Sequence, residues 1–254
     1  MSDSPASSNK ARYWVIVPAA GIGKRMGGDV PKQYLPLAGR RVIEHTLNRL
    51  SQHPFIAEIV VVVSEGDSYW KNIRHDWVSR PVKTVIGGDE RCHSVLNGLK
   101  SIKDMADAKD WVLVHDAARP CVRPADIETL ITECQHEVGG LLGLPVKDTM
   151  KQVDSDNRIA ETLEREQVWH ALTPQMFHYK DLLSSLTAVL DKNEMVTDEA
   201  MAMERAGFKP IMVPGHADNI KITHPDDLAL AEFYLRQQHS QGIAVFDDGM
   251  SDGG

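Results

Sequence analysis

The sequence predicts an α/β protein: a Rossmann-like, doubly wound and mostly parallel sheet, with a protruding β-hairpin that serves as a dimerisation arm. Three observations carry that expectation. Short β-branched runs, apolar on both faces, recur through the first half of the chain and read as buried parallel strands. Stripes at helical spacing alternate with them. The segment KDTMKQVDSDNRIAETLEREQV breaks the rhythm, placing a DSDN turn between short alternating stretches.

In chain order, YWVIVP (13–18), IAEIVVVVS (56–64), VKTVI (82–86) and WVLVHD (111–116) are the expected strands. The first helical stripe is Val42, Ile43, Thr46, Leu47 and Leu50. The second is Val95, Leu96, Leu99 and Ile102, and the third Ile127, Leu130, Ile131 and Cys134. The arm falls at about 146–168. An exposed arm is most simply covered by a second copy of the chain, so a homodimer is expected. Beyond it come helices around Asp181–Leu190 and Asp198–Ala206, a strand in KPIMVP and a last helix in DDLALAEFYLRQ. No internal repeat and no Pro-, Gly- or Ser-rich linker divides the chain, which predicts a single domain over 12–240. Residues 1–11 and 246–254 lack periodicity and read as mobile tails.

Composition narrows the classes of function. A chain of 254 residues, 42% hydrophobic and 25% charged, can bury a core large enough to offset its ordering entropy. Its net charge of −8 has the wrong sign for a surface that embraces nucleic acid or an anionic membrane, so neither is an expected partner. An anionic substrate therefore requires a local basic pocket. The three cysteines, Cys92, Cys121 and Cys134, are an odd number without C-x-x-C spacing, against a disulfide framework or a structural zinc site. With no apolar run approaching ~18–20 residues and no apolar signal core in MSDSPASSNKAR, a cytoplasmic protein is expected.

The most informative stretch follows the first strand: Pro18-Ala19-Ala20-Gly21-Ile22-Gly23-Lys24-Arg25-Met26, then Pro31-Lys32-Gln33-Tyr34. Glycines after a buried strand let backbone N–H groups approach a polyphosphate, and Lys24, Arg25 and Lys32 supply charge beside them. The dinucleotide fingerprint G-x-G-x-x-G fails at Met26, and no G-x-x-x-x-G-K-[ST] loop is present. Gly87-Gly88-Asp89-Glu90-Arg91, with Ser94, opens the helix after the third expected strand, where free backbone donors and a small hydroxyl can read a base edge. Asp116, at the carboxyl end of the fourth, is expensive to leave unpaired. A divalent metal, the water shell of phosphates and Arg119 are its candidate partners.

The run PAAGIGKRM…PKQYLPLAGRRVIEHTL resembles the nucleotidyltransferases that activate sugars, most specifically the 2-C-methyl-D-erythritol 4-phosphate cytidylyltransferase family. GGDERCHSVLNGL, VHDAARP, PVKDTMK, VWHALTPQ, TDEA and ADNIKIT continue the resemblance in the same order, from about Trp14 to Leu235. It implies transfer of CMP from CTP to a polyol phosphate, with release of pyrophosphate and a divalent ion, normally Mg²⁺. It further implies that Arg25 and Lys32 stabilise the transition state, and that Pro18, Ala19, Ala20, Gly21 and Gly23 surround the nucleotide. The Gly88 carbonyl, the Asp89 amide and the Ser94 hydroxyl would meet cytosine, opposed by the Ala19 carbonyl, with Ala117 leaving space beside the ribose and Asp116 at the metal.

For the polyol phosphate, the resemblance implies Lys221 and Arg165 as positioning cations and Asp218 as acceptor from the hydroxyls, with Arg119 and Thr173 also substrate-binding. Thr149 and Arg165 would reach across from the other subunit. Without the resemblance, Arg165 reads as a solvated residue of the 161–166 run. Thr197 in TDEA reads equally as a helix cap, and so does either Asp89 or Ser94. The ribitol 5-phosphate cytidylyltransferases share the CTP half of the pattern, and the strand–helix alternation alone also admits a nicotinamide-dependent dehydrogenase. Eleven histidines bring no H-x-x-x-H pair, so they do not indicate a metal site.

Overall fold

The computed structural model describes residues 11–21 and 30–243; Gly23, Arg25 and the expected tails, apart from Ala11, lie outside the described residues. In chain order the strands and helices are β1 (Tyr13–Pro18), β2 (Pro36–Leu37), β3 (Arg40–Arg41), α1 (Val42–Ser51), β4 (Ile56–Val63), β5 (Val82–Ile86), α2 (Arg91–Ser101), β6 (Trp111–Val114) and α3 (Pro124–Cys134). Then follow β7 (Gly139–Pro145), β8 (Met150–Val153), β9 (Ile159–Leu163), β10 (Trp169–His178), α4 (Tyr179–Leu190), α5 (Glu199–Arg205), β11 (Ile211–Pro214) and α6 (Asp226–Ser240).

Seven strands form one sheet in the order β11-β7-β10-β6-β1-β4-β5. β1 pairs in parallel with both β4 and β6, β4 with β5 and β7 with β11, while β10 runs antiparallel to both its neighbours. The sheet is doubly wound because successive side chains of each central strand enter opposite layers. Val15 and Val17 of β1, Ile59, Val61 and Val63 of β4, and Leu113 of β6 pack with Ile43, Leu47 and Leu50 of α1 and Ile127, Leu130 and Ile131 of α3. Their alternates, Trp14, Ile16, Val60, Val62, Val112 and Val114, pack with α2, α4 and α5. Each fully buried Val, Leu or Ile contributes about 1.5–3 kcal/mol relative to exposure, which is why runs apolar on both faces specify this arrangement. On α2, a side chain at Gly98 would bring a Cβ within 2.9 Å of Ile16 Cγ2, so glycine permits the helix to lie close on the sheet.

Two central strands were not among those expected. β7 is GGLLGLP, whose glycines lower strand propensity, and β10 contains Pro174. The ladder between them is irregular from Ala171 to Gln175, the stretch that holds this proline. The strand expected over 111–116 ends at Val114, leaving Asp116 in the loop beyond it. The predicted turn does form a hairpin: β8 and β9 pair antiparallel, and Asp154 Oδ1 accepts from the N–H groups of Asp156 and Arg158. All three cysteines are buried and free. Among the described residues no helix is long and apolar enough to cross a membrane.

Candidate active site

β1 has β4 on one side and β6 on the other, so the chain winds away from it in both directions. In open α/β sheets the crevice at the carboxyl ends of such strands is where ligands bind. A cavity of about 350 Å³ lies there, within the ordinary range for small-molecule sites. It is lined by the turn after β1, the loop before α2, the loop after β6 and the segment before α6.

The turn after β1 is held by its carbonyls. Gln33 Nε2 donates to Ala19 O at 2.6 Å and to Gly21 O at 3.1 Å, and Ser64 Oγ donates to Ala20 O at 2.7 Å. The Ala19 carbonyl, expected to oppose a base, thus serves as an anchor for its own loop. Among the described residues no acceptor pairs with the N–H of Ala20 or Gly21. Lys32 also lines the cavity, one residue into the short 3₁₀ turn that carries Gln33.

Across the cavity, Ser94 folds back onto the loop before its helix. Its hydroxyl accepts from the Gly88 N–H at 3.2 Å and approaches the Gly88 carbonyl at 3.4 Å. A Cβ at Gly87 would lie 2.7 Å from both Ala20 Cβ and Ser94 Oγ, so only glycine allows these two loops to close together. Neither alternative cap holds: the N-cap of α2 is Glu90, and no side chain caps it. Likewise Asp198, not Thr197, caps α5, its Oδ1 accepting from Met201 N at 3.0 Å.

The floor is an ion network centred on Asp116, which is 7% exposed. Arg91 Nε lies 3.0 Å from its Oδ1, while Lys221 Nζ at 2.8 Å and Arg119 Nε at 3.5 Å share Oδ2. Burial alone would raise this carboxyl, but the three cations outweigh it and hold the group well below the usual carboxylate range. The Arg119 pair read from the sequence is therefore real and the longest of the three. Arg91 also sends both terminal nitrogens to Glu199, at 2.7 and 3.0 Å. Beneath the floor, His115 Nε2 is 3.1 Å from the Arg119 carbonyl, which fixes the proton there and leaves Nδ1 to accept from Thr173 Oγ1 at 3.0 Å. The Thr173 oxygen in turn accepts from Asp116 N at 3.2 Å.

Of the expected residues, Pro18, Ala19, Ala20, Gly21, Lys32 and Gly88 line this one cavity. So do Asp89, Ser94, Asp116, Ala117 and Lys221. Arg119, Thr173 and Asp218 are buried and not on its lining. Asp218 sits deepest in partners: Oδ2 is taken by Arg123 at 2.7 Å and Gln238 Nε2 at 2.8 Å, and Oδ1 is buried without a hydrogen bond. Thr149 and Arg165 are exposed on the arm, where Arg165 donates to the Lys147 carbonyl.

A model of the 2-C-methyl-D-erythritol 4-phosphate cytidylyltransferases matches residues 13–237. The chain belongs to this family. It is 51% identical over 228 residues to the 2-C-methyl-D-erythritol 4-phosphate cytidylyltransferase of Tolumonas auensis, across 89% of this chain and 97% of that relative. The enzyme of the same name from Hahella chejuensis is 49% identical over 232 residues, 91% of this chain and 96% of that one. The crystal structure of Francisella tularensis 2-C-methyl-D-erythritol 4-phosphate cytidylyltransferase superposes with a TM-score of 0.75 at 36% identity, covering 88% of this chain and 100% of that one.

The sequence reading omitted Gln33, Arg91 and Glu199 from the site. Gln33 and Arg91 both line the cavity and stood inside motifs already quoted, PKQY and GGDER, where a polar side chain within two residues of Lys32 or Asp89 was the available signal. Glu199 stood inside the quoted TDEA, but its pairing with Arg91, 108 residues away, had no local signal.

Proposed function

We propose that this chain transfers CMP from CTP to 2-C-methyl-D-erythritol 4-phosphate. A phosphate oxygen of the polyol attacks the α-phosphorus in line, the bond to the β-phosphate oxygen breaks, and pyrophosphate leaves without a covalent enzyme intermediate. The observation that carries the reading is the cation cluster at the switch point of the sheet: Lys32, Arg91 and Lys221 line one cavity in a chain of net charge −8.

The N–H groups of Ala20 and Gly21 are offered to the triphosphate, and Lys32 neutralises charge that develops on the α-phosphoryl oxygens. Arg25 joins it by resemblance. Gly88, Asp89 and Ser94 form the cytosine side, with Ala117 beside the ribose. Lys221 holds the polyol phosphate, and Arg119 and Thr173 act from below by fixing Asp116. Asp218 reaches the polyol only if its unbonded Oδ1 is uncovered as substrate enters. Thr149 and Arg165 belong, on this reading, to the site of the other protomer of a homodimer.

Among the described residues no group of three His, Cys, Asp or Glu is arranged to hold a metal, and both Asp116 oxygens face cations. This fits an ion carried in by the triphosphate, with Asp116 as a carboxylate of the cavity that would face it, since Mg²⁺ keeps several waters and leans on substrate phosphates. Such an ion supplies charge to the β- and γ-phosphates of the departing pyrophosphate. Pyrophosphate release tests the reading: it should require CTP and 2-C-methyl-D-erythritol 4-phosphate together. Equal or faster release with ribitol 5-phosphate would move the assignment to that substrate.

A further inference from the structure

We infer that Glu199 is a positioning residue for the transfer, acting through Arg91 and Asp116 to keep Lys221 available to the second substrate. The inference rests on the reading of the cavity as the transfer site.

Glu199 does not line the cavity and is 0% exposed. A buried carboxylate is retained at an energetic disadvantage relative to an apolar residue unless it does something. Its two oxygens occupy both terminal nitrogens of Arg91, at 2.7 and 3.0 Å. Of the three N–H groups left, that on Nε reaches Asp116 Oδ1 at 3.0 Å. A planar guanidinium gripped along one edge and bonded at Nε has a single orientation.

The grip itself is rigid. The first turn of α5, which begins with Glu199, is tied to β10: Gln175 Oε1 accepts from Ala200 N at 2.8 Å and Gln175 Nε2 donates to Asp198 Oδ2 at 2.9 Å. Glu199 cannot follow Arg91 if Arg91 moves.

Two consequences follow for the cavity. A guanidinium on the wall of a triphosphate site would itself take phosphate bidentately, and Glu199 occupies the end-on pair of N–H groups, one on each terminal nitrogen, while Asp116 takes Nε on the adjoining edge. Asp116, with one oxygen committed to Arg91, meets Lys221 through the other, which it shares with Arg119. Lys221 keeps donors for an incoming phosphate. Released by loss of Glu199, Arg91 would turn to the triphosphate, and Asp116 would close on Lys221.

The test is a kinetic cycle with CTP and the polyol phosphate. Glu199→Gln should raise KM for the polyol phosphate roughly tenfold, the scale of one lost charged hydrogen bond, while CTP affinity holds or increases. In a Lys221→Gln background the same substitution should change kcat/KM for the polyol phosphate no further, because its route runs through Lys221. Since Glu199→Gln leaves Arg91 with only the Asp116 carboxylate that it shares with Lys221 and Arg119, the double variant Glu199→Gln/Arg91→Gln removes the pair together and keeps the fold testable. It should unfold at a temperature close to wild type and retain the KM defect. A Glu199→Gln enzyme with wild-type KM, a full additional loss on Lys221→Gln, or a double variant that regains normal kinetics would each overturn the inference. Wild-type protein with no transfer activity would overturn the reading of the cavity, a result separable from all three.

Discussion

The floor of the cavity and the hairpin arm both present charged side chains expected to meet phosphate, and the two regions hold them in opposite ways. On the floor, Asp116 gathers three cations within 3.5 Å, and Arg91 is gripped again from behind by Glu199. On the arm, Thr149 and Arg165 are exposed, Arg165 turns back to the arm's own Lys147, and Val153 and Ile159 stand 48% and 64% exposed. The floor is completed by the body of one chain; the arm's residues stand open on its surface. Preorganised charge acts without reorganisation, so the floor should govern the chemical step and the arm the arrival and placement of the second substrate.

The largest effect should come from the rim of the floor. Lys32→Ala is expected to lower kcat by about 10²–10³-fold, the scale of a lost electrostatic donor, with a much smaller change in KM for CTP and an unchanged unfolding temperature. Steady-state kinetics beside thermal melts decide it. A variant that loses CTP affinity alone would make Lys32 a ground-state ligand.

A different experiment addresses whether the arm serves a neighbour. Arg165→Ala and Lys221→Ala homodimers should each be nearly inactive, yet mixing them under subunit exchange should restore up to about a quarter of wild-type activity, since half the dimers become mixed and each mixed dimer has one intact site. No recovery, with exchange confirmed by mass, would put both residues in one chain's site.

Base selectivity is a smaller effect and tests the wall opposite Lys32. If the loop before α2 presents carbonyl oxygen to the base, UTP sets acceptor against acceptor, and kcat/KM should favour CTP by ~10²-fold or more. Comparable turnover of the two nucleotides would remove the Gly88 loop from base recognition.

How far the sequence foretold these regions depended on how locally each feature is encoded. β1, β4, β5 and β6 were legible as short apolar runs, and the lining residues nearest β1 and β6 followed from the rule that ligands gather at strand ends. β7 and β10 were hidden by glycine and proline, whose propensity is overridden by pairing inside the sheet. Asp218 was expected at the polyol, but its setting depends on Gln238 of the last helix and on Arg123, 95 residues away. The Arg91–Glu199 fork joins the first residues of α2 and α5, 108 positions apart in the chain, a relation no spacing rule can reveal.

The smallest effect expected lies under the floor and is read as stability. His115 is fully buried, and burial pushes its pKa down from 6.5 to about 4. The unfolded chain therefore binds a proton that the folded chain refuses between pH 6.5 and about pH 4, so His115 stabilises the fold fully above pH 6.5 and progressively less as pH falls through that window. The slope for one proton is about 1.4 kcal/mol per pH unit. Protonation at Nδ1 would also turn an acceptor into a donor against the Thr173 hydroxyl, which already accepts from Asp116 N, so the hydroxyl proton would need a new acceptor in a buried place. Urea midpoints measured from pH 7 to pH 5 for wild type and His115→Gln isolate this group, because the titrations of carboxylates common to both cancel in the difference. Glutamine keeps an N–H for the Arg119 carbonyl and cannot take up the proton. The wild-type curve should fall more steeply with acid than the variant's; parallel curves would mean that the floor is held without His115, and that its firmness relative to the arm comes from the ion network alone.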